Sequence, residues 1–233
     1  MSSEEIKIFI QRLHQWYHMP DIPERGIECF LWIELFRNTL KYPPKYISVQ
    51  HQLEDNGSNE KKHKPDIILS SSNIISYPIE IKKPNIGIAA FRTGRHQVAN
   101  YAKMLNLSYA IITDGLRWDI LSIHPKYNQY KHIWSHRIEK DSDLSVQFIK
   151  CLRPKMIQRF LLFAEQMFGN IGYEKLHSYR SRASMSNNTS LLKLLRENTS
   201  VSIPLVKLLG KQMDLCSLNK AEKPKKEWIK IDG

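Results

Sequence analysis

The chain has little cysteine, and its three cysteines form no recognisable pattern. Cys29, Cys151 and Cys216 lie far apart, and neither a CxxC pair nor a zinc-ligand spacing occurs. This usage predicts reduced structural thiols rather than a disulfide framework or a zinc site. It is typical of a cytoplasmic protein, and we expect that location.

Two further absences argue against a membrane protein and a nucleotide-driven motor. No window approaches the roughly 18 uninterrupted apolar residues of a membrane-spanning helix. The N-terminal stretch contains Glu4 and Glu5 and lacks a small-residue cleavage site, so it predicts an amphipathic helix rather than a signal peptide. The motif GxxxxGK[ST] is also missing, so we expect no P-loop.

Positive charge is what the chain has in excess. The 35 Lys and Arg outnumber the 23 Asp and Glu, giving a net charge of +12. Residues 151–233 are the more basic part, with 15 Lys and Arg against 7 Asp and Glu. A basic chain suits a polyanionic partner, most commonly nucleic acid. Charge alone also fits a basic domain that has no nucleic-acid role.

Hydrophobic periodicity predicts helices on both sides of a central group of strands. The predicted helices cover 3–18, 23–40, 88–106, 156–168, 190–197 and 203–209. The predicted strands cover 46–53, 65–70, 74–82, 109–112 and 118–123, with turns at 54–62 and 71–73. The first three strands form an antiparallel meander, and the whole order predicts an α/β fold with one central mixed β-sheet flanked by helices.

Two short motifs supply the residue types that metal-assisted phosphodiester cleavage needs. Lys64-Pro65-Asp66 opens one predicted strand, and Glu80-Ile81-Lys82 ends the next. Side chains alternate along a strand, so Glu80 and Lys82 share one face, and the intervening turn can bring Asp66 beside them. Two carboxylates suit a hard cation such as Mg2+, and a lysine can orient water or neutralise charge at a phosphate.

Each motif also occurs by chance, as a solvated strand face with a surface ion pair worth about 0–1 kcal/mol. Three further features favour the nuclease interpretation. Acids precede the meander at Glu24, Glu28 and Glu34. Gln97 and Tyr101 lie on the helix after the second motif, and the turn sequence TDGLRW at 113–118 follows a buried strand.

In this order the motifs resemble the PD-(D/E)xK nuclease superfamily. More narrowly, they resemble the N-terminal nuclease domain of type I restriction enzyme motor subunits, with its pattern PD…ExK…QxxxY…TNGxxW. Asp114 stands where the family has asparagine, at a turn position that accepts either residue. The resemblance covers about residues 24–123. It implies a restriction-endonuclease-like fold, here with a C-terminal helical extension.

The resemblance also implies roles for individual residues. Asp66 and Glu80 would bind Mg2+ or Mn2+, with the Ile81 carbonyl as a further ligand, and Lys82 would position the attacking water. An acid on the preceding helix often completes such sites, and Glu28 is preferred here, with Glu24 one turn away as the alternative. Gln97 and Tyr101 would face the site together and hold Lys82 or the DNA backbone.

Other candidates are basic or aromatic residues near these motifs. Lys64, Arg92, Arg95 and His96 could meet DNA phosphates, although a plain solvated face explains the three helical residues equally well. Trp118 and Trp134 are predicted to be core residues rather than platforms for base stacking. No histidine pair has a metal-ligand spacing, so no histidine is predicted to be a ligand.

The predicted division of the chain is a nuclease-like core at 1–145 and a basic helical region at 146–233 for DNA binding, dimerisation or partner docking. The leading hypothesis is a Mg2+-dependent DNA endonuclease related to restriction or defence, acting as a homodimer or a larger assembly. The alternative is a nuclease or DNA-binding subunit of restriction or transposition machinery that does not cut alone. The missing P-loop keeps both open, because motor subunits of that family carry a translocating ATPase.

Overall fold

The computed structural model describes residues 2–49, 64–70, 76–124, 128–165 and 229–231. The predicted turns at 54–62 and 71–73, and the predicted helices at 190–197 and 203–209, lie outside these residues.

Up to Ile123, the helices and strands follow one another in the order that the sequence predicts. The helices are α1 (Ser3–Tyr17), α2 (Glu24–Phe30), α3 (Ile88–Met104), α4 (Asp143–Cys151) and α5 (Ile157–Glu165). The strands are β1 (Ile47–Val49), β2 (Ile67–Ser70), β3 (Ser76–Ile81), β4 (Tyr109–Thr113), β5 (Arg117–Ile123), β6 (Gln129–Arg137) and β7 (Ile229–Lys230). None of the described helices is both long enough and apolar enough to cross a membrane.

All described strands join one mixed sheet whose order follows the sequence from β1 to β7. Neighbouring strands are antiparallel, except that β3 and β4 are parallel. A parallel pair needs a crossover connection, and α3 supplies it. The predicted antiparallel meander and the central mixed sheet are therefore confirmed.

Helices cover both faces of this sheet. One hydrophobic cluster combines side chains of α1, α2, α4 and α5 with alternate residues of the strands, including Ile79, Ile81 and Trp118. A second cluster joins α3 to the opposite face through Ala110, Ile112 and other residues. Glu80, between Ile79 and Ile81 in sequence, lies on the α3 face, because strand side chains alternate.

The predicted second helix differs from the observed one in its second half. After α2 the chain continues as a π-helix, Leu31–Thr39. At its end the Leu40 N–H donates to the Leu35 carbonyl, five residues back, at 2.7 Å. The wider turn still buries Leu31, Leu35 and Phe36, as the periodicity predicts. A π-helical turn gives no clear hydrophobic signal of its own, which is why the sequence predicts one continuous helix.

β6 is the element that the sequence analysis missed. Its sequence, QYKHIWSHR, places the polar residues Lys131, His132 and His136 at buried positions. A register irregularity between Ile120 and Leu121 of β5 also shifts the pairing, so that the adjacent Ile133 and Trp134 both join one core cluster. The alternation that normally predicts a strand is therefore interrupted.

The described part of the basic C-terminal region packs onto the same core. α4 begins at Asp143, before the predicted boundary at 145, and contacts α1. Phe148 of α4 and Phe160 of α5 are fully buried in the first cluster beside Trp118 and Trp134. Both tryptophans are core residues, as predicted.

Candidate active site

The two motifs meet where β2 begins and β3 ends. Their antiparallel register pairs Ile67 with Ile79, which sets Asp66 beside Glu80. The Asp66 carboxylate accepts a hydrogen bond from the Ile81 N–H at 2.7 Å. The structure therefore brings the PD and ExK motifs together through a direct bond between side chain and backbone.

Asp66 lies in an environment that disfavours its negative charge. Burial raises the pKa of Asp66 to about 6, and the charges of Glu28 and Glu24 add to the rise. The Ile81 N–H and the Lys82 ammonium act in the opposite direction without overcoming it. Asp66 thus lies near its titration point at neutral pH.

Glu80 is the most deeply buried acid of the site, with 2% of its surface exposed. Its Oε1 lies 2.5 Å from Lys82 Nζ. Its Oε2 is buried and has no hydrogen-bond partner among the described residues. Burial, followed by the charge of Asp66, raises the pKa of Glu80 to about 8 despite the opposing effect of Lys82. A buried acceptor without a donor is an unstable arrangement that a bound cation would relieve.

Lys82 is held from the other side by α3. Its Nζ donates to Gln97 Oε1 at 3.1 Å, and Gln97 Nε2 donates to the Tyr101 hydroxyl at 2.6 Å. Gln97 and Tyr101 are four residues apart, so they lie on the same side of the helix. Burial raises the pKa of Tyr101 to about 12, so this hydroxyl stays protonated. Glu80, Lys82, Gln97 and Tyr101 therefore form one hydrogen-bonded row.

Both candidate acids of α2 act on the site, in different positions. Glu28 is buried, and Glu24 is exposed. The Glu24 carboxylate accepts a hydrogen bond from the Lys83 N–H at 3.1 Å, directly after the ExK motif. Of the two, Glu28 has the larger effect on the pKa of Asp66. The choice of Glu28 as an additional metal ligand stays a prediction.

The donor set fits a divalent cation through two carboxylates. Within the described ranges, no group of three or more His, Cys, Asp or Glu side chains is arranged to hold a metal ion. Asp66 and Glu80 are nevertheless adjacent, both have raised pKa values, and Glu80 Oε2 is buried without a hydrogen-bond partner among the described residues. Two carboxylates that repel each other in this way are the ligand type that Mg2+ prefers.

The predicted DNA-contacting residues fall into two groups. Arg92 is exposed, and Lys64 and His96 are half-buried. The His96 ring packs edge-on against Tyr130, with centroids 5.2 Å apart. Arg95 is only 8% exposed, and its Nε and Nη2 bind Asp119 Oδ2 at 2.8 and 2.5 Å. The guanidinium of Arg95 is thus buried and bound to Asp119, and a contact with a DNA phosphate would require breaking this ion pair.

Asp119 is the residue that sequence reasoning missed. It is fully buried and binds Arg95, the Arg117 guanidinium at 3.3 Å and the Ser135 hydroxyl. Burial alone would raise its pKa, but the charges of His132, Arg95 and Arg117 hold the pKa of Asp119 far below its usual range. An acid inside an apolar strand such as WDILSI gives no signal of its partners on other elements.

The TDGLRW segment forms the turn between β4 and β5. Asp114 Oδ1 accepts from the Leu116 and Arg117 N–H groups at 3.0 and 2.6 Å. Gly115 has a φ of +99°, which favours glycine. Asp114 Oδ2 also accepts from the Tyr17 hydroxyl at 3.0 Å. The aspartate therefore makes the same acceptor bonds to the turn that an asparagine would make, and ties the turn to α1.

The mixed sheet, the helices on both faces and the Asp66–Glu80–Lys82 patch where β2 begins and β3 ends define a restriction-endonuclease-like α/β protein. Residues 31–136 match the family model described as Type I restriction enzyme R protein N terminus (HSDR_N). Over this segment the chain matches the nuclease-like domain of that family, and the resemblance seen in the sequence is confirmed. No curated protein and no solved structure shows a significant match to the chain.

The match indicates a restriction-related nuclease role for this segment. It contains Asp66, Glu80, Lys82, Gln97 and Tyr101. Glu24 and Glu28 precede its first residue, so the family model does not decide between the two acids of α2.

Proposed function

We propose that this chain is a divalent-metal-dependent DNA endonuclease of the restriction type. The observation that carries the proposal is the convergence of Asp66, Glu80 and Lys82 on one patch, where Glu80 Oε2 is buried without a partner. The family match over residues 31–136 supports the reaction class. The net charge of +12 supports a polyanionic substrate.

Asp66 and Glu80 would hold the Mg2+ or Mn2+, with the Ile81 carbonyl as a further ligand. When bound, the cation neutralises charge at the phosphate and lowers the pKa of a water molecule. Lys82 would orient that water or stabilise the negative charge that develops on the phosphate oxygens. Its bonds to Glu80 and Gln97 fix the amine before DNA arrives, which reduces the reorganisation needed during reaction.

The experiment is plasmid cleavage by the pure protein with Mg2+ or Mn2+. We expect the parent to nick or linearise supercoiled DNA, and Asp66→Asn, Glu80→Gln and Lys82→Ala each to lose on the order of 10²-fold or more in rate. Lys103→Ala is the matched control, because Lys103 is exposed at the end of α3 away from the site residues. Identical products from the parent and the three site variants would contradict the catalytic assignment.

A second candidate is a subunit that binds DNA and cuts only within an assembly. It is favoured by the family description, which refers to one protein of a multi-protein enzyme. This candidate predicts tight DNA binding that weakens steeply as salt rises, with no cleavage under any divalent cation until partner proteins are added. Sedimentation of the pure chain, alone and with DNA, distinguishes a homodimer from a monomer that waits for partners.

A further inference from the structure

Helix α3 approaches the sheet most closely at Gly94. A Cβ added to Gly94 would lie 2.5 Å from Ile112 Cδ1 and 2.8 Å from Lys82 Cε, with Lys82 Cγ at 3.5 Å. Contacts below about 3 Å between carbon atoms are not tolerated, so any larger residue would have to displace one of these side chains. The stem of Lys82 therefore runs over the one position of α3 that has no side chain.

Glycine inside a helix has a cost. Gly94 lies near the middle of the 17-residue α3, where glycine is less favourable than alanine by about 0.5–1 kcal/mol. The φ of Gly94 is not in the left-handed region that would require glycine. The close approach of Lys82 and Ile112 is the feature that alanine could not accommodate.

Gly94 lies on the side of α3 that faces the site. Gln97 follows three residues later and Tyr101 four residues after that, so the three positions form one stripe along the helix. Lys82 passes Gly94 and ends with Nζ 3.1 Å from Gln97 Oε1 and 2.5 Å from Glu80 Oε1. The gap at Gly94 thus sets the path by which the amine reaches both partners.

The next residue fixes the height of the helix above the sheet. Arg95 is bound to Asp119, and cross-strand register aligns Asp119 with Ile112 and Ile112 with Glu80. α3 is therefore pinned two strands away from Glu80, on the same face. With the helix held there, a methyl group at Gly94 must be accommodated by a shift of the Lys82 or Ile112 side chain.

We propose that Gly94 is a positioning residue for Lys82, and that its missing side chain sets the place of the amine between Glu80 and Gln97. The inference rests on the proposed function for its catalytic consequence, but not for its structural one. A methyl group at Gly94 displaces the Lys82 stem, breaks the contact with Gln97 and moves Nζ away from the reacting groups.

The structural consequence is tested without any nuclease assay. Limited acetylation with acetic anhydride, followed by peptide mapping, compares the reactivity of Lys82 with that of the exposed Lys103 in the same molecule. We expect Gly94→Ala to raise the reactivity of Lys82 severalfold relative to Lys103. Gly87→Ala, at the N-cap residue of α3, should leave it unchanged, because nothing lies within 4 Å of a Cβ at Gly87.

A second variant distinguishes the effect of a clash between the new methyl group and Ile112 from the effect of a clash with Lys82. Ile112→Val removes the Cδ1 atom that would meet the new methyl group, so Gly94→Ala/Ile112→Val relieves the apolar clash and retains the clash with Lys82. We expect the double variant to fold and still to show a reactive Lys82. A Lys82 as protected in the double variant as in the parent would overturn the proposal.

Plasmid cleavage tests the catalytic consequence of moving the Lys82 amine. On plasmid with Mg2+, Gly94→Ala and the double variant should lose on the order of 10²-fold in kcat with little change in KM, because a displacement of about 1 Å has this effect on reacting groups. Parent-like kcat in a double variant whose Lys82 has become reactive would refute the positioning role. If the parent itself cuts nothing, the proposed function fails, while the acetylation result still decides the placement of Lys82.

Discussion

Glu80 is the residue at which burial, charge and chemistry meet. Its Oε1 contacts Lys82 while its Oε2 has no partner among the described residues. Burial and the nearby Asp66 raise its pKa to about 8 from an ordinary value of 4.5. The side chain is thus held where its charge is unfavourable, an arrangement common at functional sites and rare elsewhere.

The raised pKa of Glu80 predicts a pH-dependent stability. Between pH 4.5 and about 8 the folded protein holds a proton that the unfolded chain has released, so the free energy of unfolding falls as pH rises through this window. We expect a loss of up to about 5 kcal/mol in chelator, since the pKa rises from 4.5 to about 8 and each pKa unit corresponds to about 1.4 kcal/mol. Denaturant unfolding at several pH values measures it.

Glu80→Gln is the matched variant for this prediction, because it keeps the shape and removes the charge. Its stability should vary much less across the same pH range, leaving the smaller contribution of Asp66, whose pKa is raised to about 6. At high pH, Mg2+ should raise the stability of the parent and should leave the stability of the variant unchanged. Parallel pH profiles for the two proteins would show that Glu80 is ionised without penalty.

Tyr101 supports the row of side chains from its far end. Tyr101→Phe removes only the hydroxyl that accepts from Gln97 Nε2. We expect a stability change of about 0.5–1.5 kcal/mol, typical of one hydrogen bond. The rate of cleavage should fall with KM nearly unchanged, because Gln97 is then free to rotate away from Lys82. An equal kcat for the parent and Tyr101→Phe would show that the Tyr101 hydroxyl has no role at the site.

At the scale of elements, the main feature is how α3 is fixed on the sheet. Its buried face carries Phe91, Val98 and Ala102 into the second core cluster, and Arg95 among them binds the fully buried Asp119. A buried ion pair of this kind fixes the position of the helix more than it adds net stability, since burial of both charges is costly. Its role is to set where Gly94, Gln97 and Tyr101 lie above Lys82.

Removal of Asp119 should destabilise the protein strongly. Asp119→Ala removes the carboxylate that pairs with the buried Arg95 guanidinium, a change that typically costs about 3–5 kcal/mol. Urea unfolding measures the loss. Glu34→Ala is the control, because its pair with Arg12 is largely exposed, at 60% and 32% of the side-chain surfaces, and should change stability by about 0–1 kcal/mol. Similar losses in both variants would contradict a special role for Asp119.

The elements that the sequence predicted well are those with uninterrupted patterns. The meander of β1 to β3, the helices α1 and α3 and the strands β4 and β5 all have regular periodicity and clear turns. β6 was missed because polar residues such as Lys131 and His132 are buried in it. The π-helix was missed because hydrogen bonding five residues back leaves the hydrophobic spacing almost unchanged.

The sequence predicted which residues form the candidate site, but not the hydrogen bonds and packing contacts that hold them in place. Short motifs identified Asp66, Glu80, Lys82, Gln97 and Tyr101, which the structure brings together. The bond from the Ile81 N–H to Asp66, the close approach at Gly94 and the Arg95–Asp119 pair depend on how distant elements pack. Sequence spacing contains no information on such contacts, and a contact between Arg95 and DNA stays a prediction.

At the scale of the whole molecule, the chain returns to the central sheet at residues 229–231. β7 pairs with β6, the Ile231 N–H donates to the Asn128 carbonyl at 2.7 Å, and Ile231 is 1% exposed in the cluster beneath α3. The described C-terminal residues are thus part of the core that carries the site.

Loss of this terminal strand should weaken the whole core. Ile231→Ala should cost about 2–5 kcal/mol, typical of truncating a buried isoleucine, and deletion of residues 229–233 at least as much. Thermal and denaturant unfolding measure both. Deletion of residues 232–233 alone keeps Ile231 and is expected to have little effect. A full deletion that melts like the parent would show that β7 contributes nothing to stability.

The contact between Lys82 and Glu80 has one more consequence, which concerns competition. In the proposed metal site, the Lys82 ammonium group, which contacts Glu80 Oε1, would compete with a divalent ion for this carboxylate. Lys82→Met keeps the stem beside Gly94 and removes the charge. This variant should bind Mn2+ more tightly than the parent by calorimetry, yet cleave DNA more slowly. The residue most needed for reaction would then be the one that keeps the metal affinity low.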